Sequence, residues 1–150
     1  MQNNLPKELL SIRIGLSGTF WDKQPKYSVL VNDKLIVTGV IESSDINYVD
    51  FNVEVTEDSL HKLKIRLENK EDSDTIENDD KSSIIKDMLL NIESIEIDDI
   101  NLGLLMWEAS EFTPDDPTRP TLQKCVNLGW NGTYSLEFKS PFYMWLLEKI

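Results

Sequence analysis

The stretch 48-YVDFNVEVTEDSLHKLKIRLEN-69 decides the fold. In its first half Val49, Phe51, Val53 and Val55 share one parity, while Asp50, Asn52 and Glu54 take the other. In its second half Leu63, Ile65 and Leu67 alternate with Lys62, Lys64 and Arg66. A period of two places successive side chains on opposite faces of a strand, so each half is a strand with one dry and one wet face. Two such strands in succession predict an antiparallel sheet with a single buried side.

The same period extends outward. Leu10, Ile12, Ile14 and Leu16 fall on one parity, with Ser11, Arg13 and Gly15 on the other. In 27-YSVLVNDKLIV-37 two β-rich runs flank Asn32-Asp33, residues that tolerate the positive φ of a tight hairpin. In 89-LLNIESIEID-98, Leu90 and Ile92 share a parity that Ile95 and Ile97 do not, which predicts a bulge near Glu93-Ser94. The run 100-INLGLLMWEAS-110 is apolar on both parities around Leu104 to Trp107 and predicts a central strand covered on both faces. Residues 108–124 carry Pro114, Pro117 and Pro120, which predicts an irregular surface loop. Asn131-Gly132 predicts a turn into a last strand with Tyr134, Leu136 and Phe138 inside, and fits that role better than a glycosylation acceptor. Eight or nine short strands without a strongly amphipathic helix define an all-β, single antiparallel β-sandwich over residues 1–150.

Composition narrows the function. The chain has 150 residues, 40% apolar and 28% charged, which suits one globular core. Its formal net charge of -12 repels phosphate backbones, so nucleic acid is not an expected partner. No apolar run is long enough to span a bilayer and the first residues lack a secretory pattern, so no membrane partner is expected either. Cys125 is the single cysteine, which excludes an internal disulfide and a multi-cysteine zinc site and fits a buried, inert thiol. His61 is the single histidine and shares the inward parity of Leu63, which makes it a packing or turn residue rather than a base. No glycine-rich phosphate loop is present, and abundant acids alone carry no hydrolase signal. No catalytic residue and no enzymatic activity are expected.

Three segments remain. The acidic run within residues 70–83 has six carboxylates between 71 and 80 and no glycine, which predicts a solvated, mobile loop rather than a calcium loop. Trp21 and Trp130 stand at loop–strand junctions, where an exposed ring can stack on a sugar, whereas Trp107 and Trp145 lie in apolar runs and are expected inside. The terminal 141-PFYMWLLEKI-150 is too apolar to be left bare. Either it closes this domain's own core as a strand or short helix, or Phe142, Tyr143, Trp145 and Leu146 dock on a partner.

Two resemblances add expectations. The runs 26-KYSVLVNDKLIVTGVI-41, 48-YVDFNVEVTEDSLHKLKIRLENK-70 and 86-KDMLLNIESIEIDDINLG-103 resemble, in content and order, the xylan-binding type of carbohydrate-binding module. The motifs concerned are Val31-Asn32-Asp33, His61 to Ile65 followed by Asn69, and Asp87 to Ile95. That resemblance implies a jelly-roll sandwich and calcium held by loop carboxylates. The comparable loop here is 108–119, with Glu111, Asp115 and Asp116 as candidate metal ligands beside Glu108, and with Pro114 and Pro117 interrupting their spacing. A second resemblance runs from Ile84 through 112-FTPDDP-117 to the ending 127-NLGWNGTYSLEFKSPFYMWLLE-148. It is to small virion proteins of contractile-tailed phages of marine cyanobacteria, and implies a non-enzymatic decoration or accessory subunit of capsid or tail.

The expected function is therefore a virion structural protein, localised to the virion, with capsid or tail subunits as partners and surface polysaccharide as a further ligand. The alternative is a calcium-assisted carbohydrate-binding module, with Trp130 beside Asp115-Asp116 as its best site. No cofactor is required on the first view; calcium enters only with the second.

Overall fold

The computed structural model describes residues 5–150. The chain opens with β1 (Lys7–Thr19), the hairpin β2 (Lys26–Val31) and β3 (Lys34–Val40), then β4 (Asn47–Thr56) and β5 (Ser59–Leu67). A flap follows, made of a 3-10 turn at Asp72–Asp74 and strands β6 (Ile76–Glu77) and β7 (Ile84–Lys86). Next come β8 (Leu89–Ile97), β9 (Ile100–Asn101) and a one-turn helix α1 (Leu105–Glu108). The last part holds β10 (Ser110–Pro114), β11 (Leu122–Gln123), β12 (Asn127–Leu128), β13 (Gly132–Ser140) and helix α2 (Phe142–Lys149).

Two antiparallel sheets face each other. One has the order β12-β8-β1-β4, with β9 added to β8, and the other has the order β11-β10-β13-β5-β2-β3. Their inner faces supply Leu10, Ile12, Ile14, Ile95 and Ile97 from the first sheet and Leu63, Ile65, Leu67, Tyr134, Leu136 and Phe138 from the second, all buried. This is an all-β antiparallel sandwich, and the alternation in the sequence is the alternation of its two wet outer faces against one dry interior.

The strands of 48–69 have the expected faces and an unexpected relationship. β4 pairs with β1 and β5 pairs with β13 and β2, so the two strands lie in different sheets. The chain crosses the sandwich at Glu57-Asp58, where Asp58 takes φ of 58°. His61, buried just beyond the crossing, stabilises it: its Nε2 donates to the Thr56 carbonyl at 2.7 Å and its Nδ1 accepts from the Asn32 amide at 2.8 Å. Asn32 Oδ1 in turn accepts from the Lys62 backbone N–H, so one network holds the β2–β3 turn and the crossing together. With both ring nitrogens engaged, the imidazole has the packing role its parity indicates.

Other local signals hold in detail. Asn32 and Asp33 have φ of 51° and 67°, the left-handed pair of a two-residue hairpin. The bulge sits at Glu93: Gly15 faces Ser94, Leu16 faces Ile92, and both Ile92 and Ile95 are thereby buried. Gly15 is needed there, because a Cβ would lie 2.6 Å from Ser94 Oγ.

Five expectations are overturned. The run 100–110 is not a central strand: β9 covers two residues, α1 follows, and Leu104 is 74% exposed. Trp107, expected inside, is exposed, with Lys124 Nζ 5.3 Å from its ring centroid. Gly103, at φ of 57°, turns the chain out of the sheet, and Tyr134 O–H holds α1 through the Met106 carbonyl. Burial of that phenol pushes its pKa up. The segment 108–124 is not irregular throughout, since β10 is flanked by β13 and β11 and ends at Pro114, the position where a missing N–H costs least.

The acidic run is not an open loop. Asp74 is buried in it, paired with Lys23 Nζ at 2.9 Å and bonded to the Glu71 N–H at 2.7 Å, and Trp21 Nε1 donates to its carbonyl at 2.9 Å. Burial alone would raise the Asp74 pKa, but the Glu71 N–H and Lys23 outweigh it and hold the carboxyl below the usual range. Asn131-Gly132 is not a hairpin turn. Glycine is required at 132 because β10 approaches so closely that a Cβ would lie 2.5 Å from the Thr113 carbonyl oxygen.

Candidate functional site

Strand register gathers four loops at one end of the sandwich. Leu67 of β5, Gly132 of β13 and Pro114 of β10 lie level across their sheet, so the segments beyond them emerge side by side. With the β6–β7 flap they enclose a cleft of about 680 Å³. Trp130 stands in its wall, and Lys70, Asp87, Asp115, Asp116 and Arg119 surround it.

The Trp130 loop is clamped on both sides by Lys70. The Lys70 ammonium donates to the Gly129 carbonyl at 2.6 Å and to Asp87 Oδ1 at 2.7 Å. Asn131 brackets the Lys70 backbone, with Oδ1 accepting from its N–H at 2.7 Å and Nδ2 donating to its carbonyl at 3.0 Å. Asp87 also accepts from Thr75 Oγ1 and from the Met88 N–H. Burial pushes the Asp87 pKa up, yet Lys70, Thr75 and the Met88 N–H together hold it below the usual carboxylate range. The residues either side of Trp130 are thus fixed before any ligand arrives, which spares a ligand the entropy of ordering them.

The opposite wall is fixed by charge. Arg66 makes a forked pair with Asp115, at 3.1 and 2.8 Å, and also donates to Thr133 Oγ1. Asp116 Oδ1 accepts from the Thr118 N–H at 2.9 Å and its hydroxyl at 2.7 Å, which lowers the Asp116 pKa. Arg119 lies over the Trp130 ring, 4.2 Å from its centroid, with Nε 3.9 Å from Asp116 Oδ2.

The structure therefore brings Trp130, Asp115 and Asp116 together. It does not bring in Glu111, which lies on β10 and accepts from Gln123 Nε2 at 3.2 Å. Trp21 is outside the cleft lining and tethers the flap, with Lys86 Nζ 4.9 Å from its ring centroid. Phe142 and Trp145 are buried in this chain's own core, where Trp145 packs against both Phe138 and Phe142, while Tyr143 is exposed and Leu146 half-buried on α2. Glu8 holds the start of that helix by accepting from Ser140 Oγ and the Phe142 N–H.

As a calcium site the set Glu111, Asp115 and Asp116 does not fit. Both Asp115 oxygens are engaged by Arg66, Glu111 lies on another surface, and no cluster of three potential ligands occurs among the described residues. Lys70, Asp87, Asn131 and Arg119 were not legible as site residues. Lys70 and Asp87 are 17 positions apart, and nothing periodic links them.

No family model matches the sequence, and no curated protein matches it. Among solved structures, the likeness is to carbohydrate-binding modules, whose sandwich fold this chain shares. One is vCBM60 in complex with galactobiose, with a TM-score of 0.53 and 13% identity over 84% of this chain and 96% of that one. Another is the selenomethionine form of vCBM60, described under circular permutation as a link between two families of calcium-dependent carbohydrate binding modules. It has a TM-score of 0.53 and 12% identity over 85% of this chain and 89% of that one.

Proposed function

We propose that this protein is a non-catalytic carbohydrate-binding module whose glycan lies in the Trp130 cleft. The observation that carries this is Trp130, whose neighbours Gly129 and Asn131 are both held by Lys70, in the wall of a cleft of about 680 Å³, a size suited to a small oligosaccharide. Asp116, Asp87 and the flap carboxylates supply hydrogen-bond acceptors for sugar hydroxyls around it. The likeness in fold to modules that bind sugar supports the same reading. Titration of a panel of neutral and charged oligosaccharides into wild type and Trp130→Ala, with calcium and with chelator, tests it. Binding lost in Trp130→Ala is expected; equal binding by the variant would sink the assignment of the cleft. Dependence on calcium would locate a metal site away from Glu111, Asp115 and Asp116.

A second reading, a subunit of a phage virion that presents this module on the particle, is supported by the resemblance of the 84–148 segment and by the outer side of α2. There Tyr143, Met144 and Leu147 are 54, 62 and 67% exposed, at the end of β13 opposite to the cleft. Tyr143→Glu combined with Leu147→Glu spares the buried Phe142 and Trp145. Light scattering of this variant beside wild type should show self-association only in the latter; a monomer in both cases removes self-assembly through α2 from this reading.

A further inference from the structure

Arg119 shows what kind of group the cleft can hold. Its guanidinium lies over the Trp130 ring with the Asp116 carboxylate beside it. A cation on an aromatic face, with a carboxylate at its edge, is how proteins commonly recognise ammonium groups. Asp116 does not depend on Arg119 for its position, because Thr118 binds its other oxygen twice. Among the described residues the Arg119 side chain is held only by the ring and by one ion pair of 3.9 Å, and it is 38% exposed. Each such contact is weak at a surface, so a ligand can displace the arginine at modest cost.

The remaining charges say which ligand that is. Lys70 is committed to Asp87 and Gly129, and Arg66 to Asp115. An anion entering the cleft meets one loosely held cation among the described residues, Arg119, and meets it among the carboxylates of Asp116, Asp72 and Glu77. At the flap side, the carboxylates of Asp72 and Glu77 line the cleft with no hydrogen bond or ion pair of their own among the described residues.

We propose that the cleft takes a glycan carrying a free amine, whose ammonium replaces the Arg119 guanidinium over Trp130 beside Asp116, and that it refuses uronic acids. The proposal rests on the glycan-binding reading of this cleft and adds its substrate class. Asp116 is then the specificity-determining residue, and Arg119 is an intramolecular competitor for the same place.

The test is calorimetric titration of the full chain with three tetrasaccharides: a fully deacetylated chitosan oligomer, its N-acetylated counterpart and tetragalacturonate. The amine oligomer should bind about tenfold more tightly than the N-acetylated one, the scale of one cation–aromatic contact with a carboxylate partner. Tetragalacturonate should not bind. Raising the pH until the sugar amine is neutral should erase the preference, Asp116→Asn should reduce it, and Arg119→Ala should strengthen binding of the amine oligomer several-fold. Tighter binding of the N-acetylated or uronic oligomer, or weaker binding of the amine oligomer by Arg119→Ala, overturns the proposal while leaving a Trp130-dependent glycan site in place. No binding of any oligosaccharide in the panel overturns the proposal and the glycan-binding reading together.

Discussion

Replacing Lys70 by Met removes a cation that serves both the fold and the cleft. The Lys70 side chain is 8% exposed and that of Asp87 19%, so the pair is largely desolvated. Met fills the volume but leaves Asp87 charged, with only Thr75 and the Met88 N–H for partners, and strips the Gly129 carbonyl of the ammonium. Breaking a buried pair from one side costs about 3–5 kcal/mol, and the two surviving bonds to Asp87 put this case near the lower end. In a chain of this size that is a fall in Tm of about 6–12 °C.

The pH dependence supplies an independent check. The folded pKa of Asp87 is depressed, so its contribution to stability is complete above the unfolded carboxylate range and is lost as pH falls through the folded value. Lys70 supplies much of that depression, so the gap between wild type and Lys70→Met should narrow as the solution is acidified. Urea unfolding at neutral pH and at several points down the acid limb measures both quantities. Lys70→Met with Asp87→Asn should recover part of the loss, because the stranded charge is gone. A loss under about 1 kcal/mol, or a gap that widens in acid, would show that the pair is hydrated and does not hold the loop.

The other expectations concern single contacts. Gly132→Ala should cost about 2 kcal/mol or more, because its Cβ meets Thr113 O at 2.5 Å and the Pro114 Cα at 2.8 Å, both backbone atoms; thermal unfolding reads it. Trp145→Ala should cost about 3–5 kcal/mol, since this ring is 4% exposed and packs edge-on against Phe138, while Tyr143→Ala should leave Tm nearly unchanged. Asp74→Asn weakens the link to Lys23 beneath the flap and should increase proteolysis within residues 75–86 at neutral pH, with the difference from wild type shrinking in acid as Asp74 itself protonates. Equal cleavage of the two proteins would mean that Trp21 and the Glu71 N–H suffice to hold the flap.

Strand faces, the Asn32-Asp33 hairpin and the Glu93 bulge were all legible in the sequence because each is a local signal. Alternation, positive-φ residues and a parity shift are written within a few neighbouring positions. So was the candidate aromatic: Trp130 beside Asp115-Asp116 could be named from residue type and loop position. Sheet membership was not legible, since β4 and β5 alternate in the same way whether they pair with each other or cross the sandwich. Nor was the fate of 100–110, where an apolar run reads alike as a buried strand and as a turn packed by Tyr134.

The sequence by itself determined the antiparallel sandwich and the apolar weight of the C-terminal segment. It left open whether that segment closes the core, which Phe142 and Trp145 do while Tyr143, Met144 and Leu147 stay outside. The cleft was decided by tertiary structure alone. Lys70, Asp87 and Asn131 meet only because Leu67, Gly132 and Pro114 lie level in one sheet, and that register is set by packing across the whole core rather than by any residue in the loops themselves.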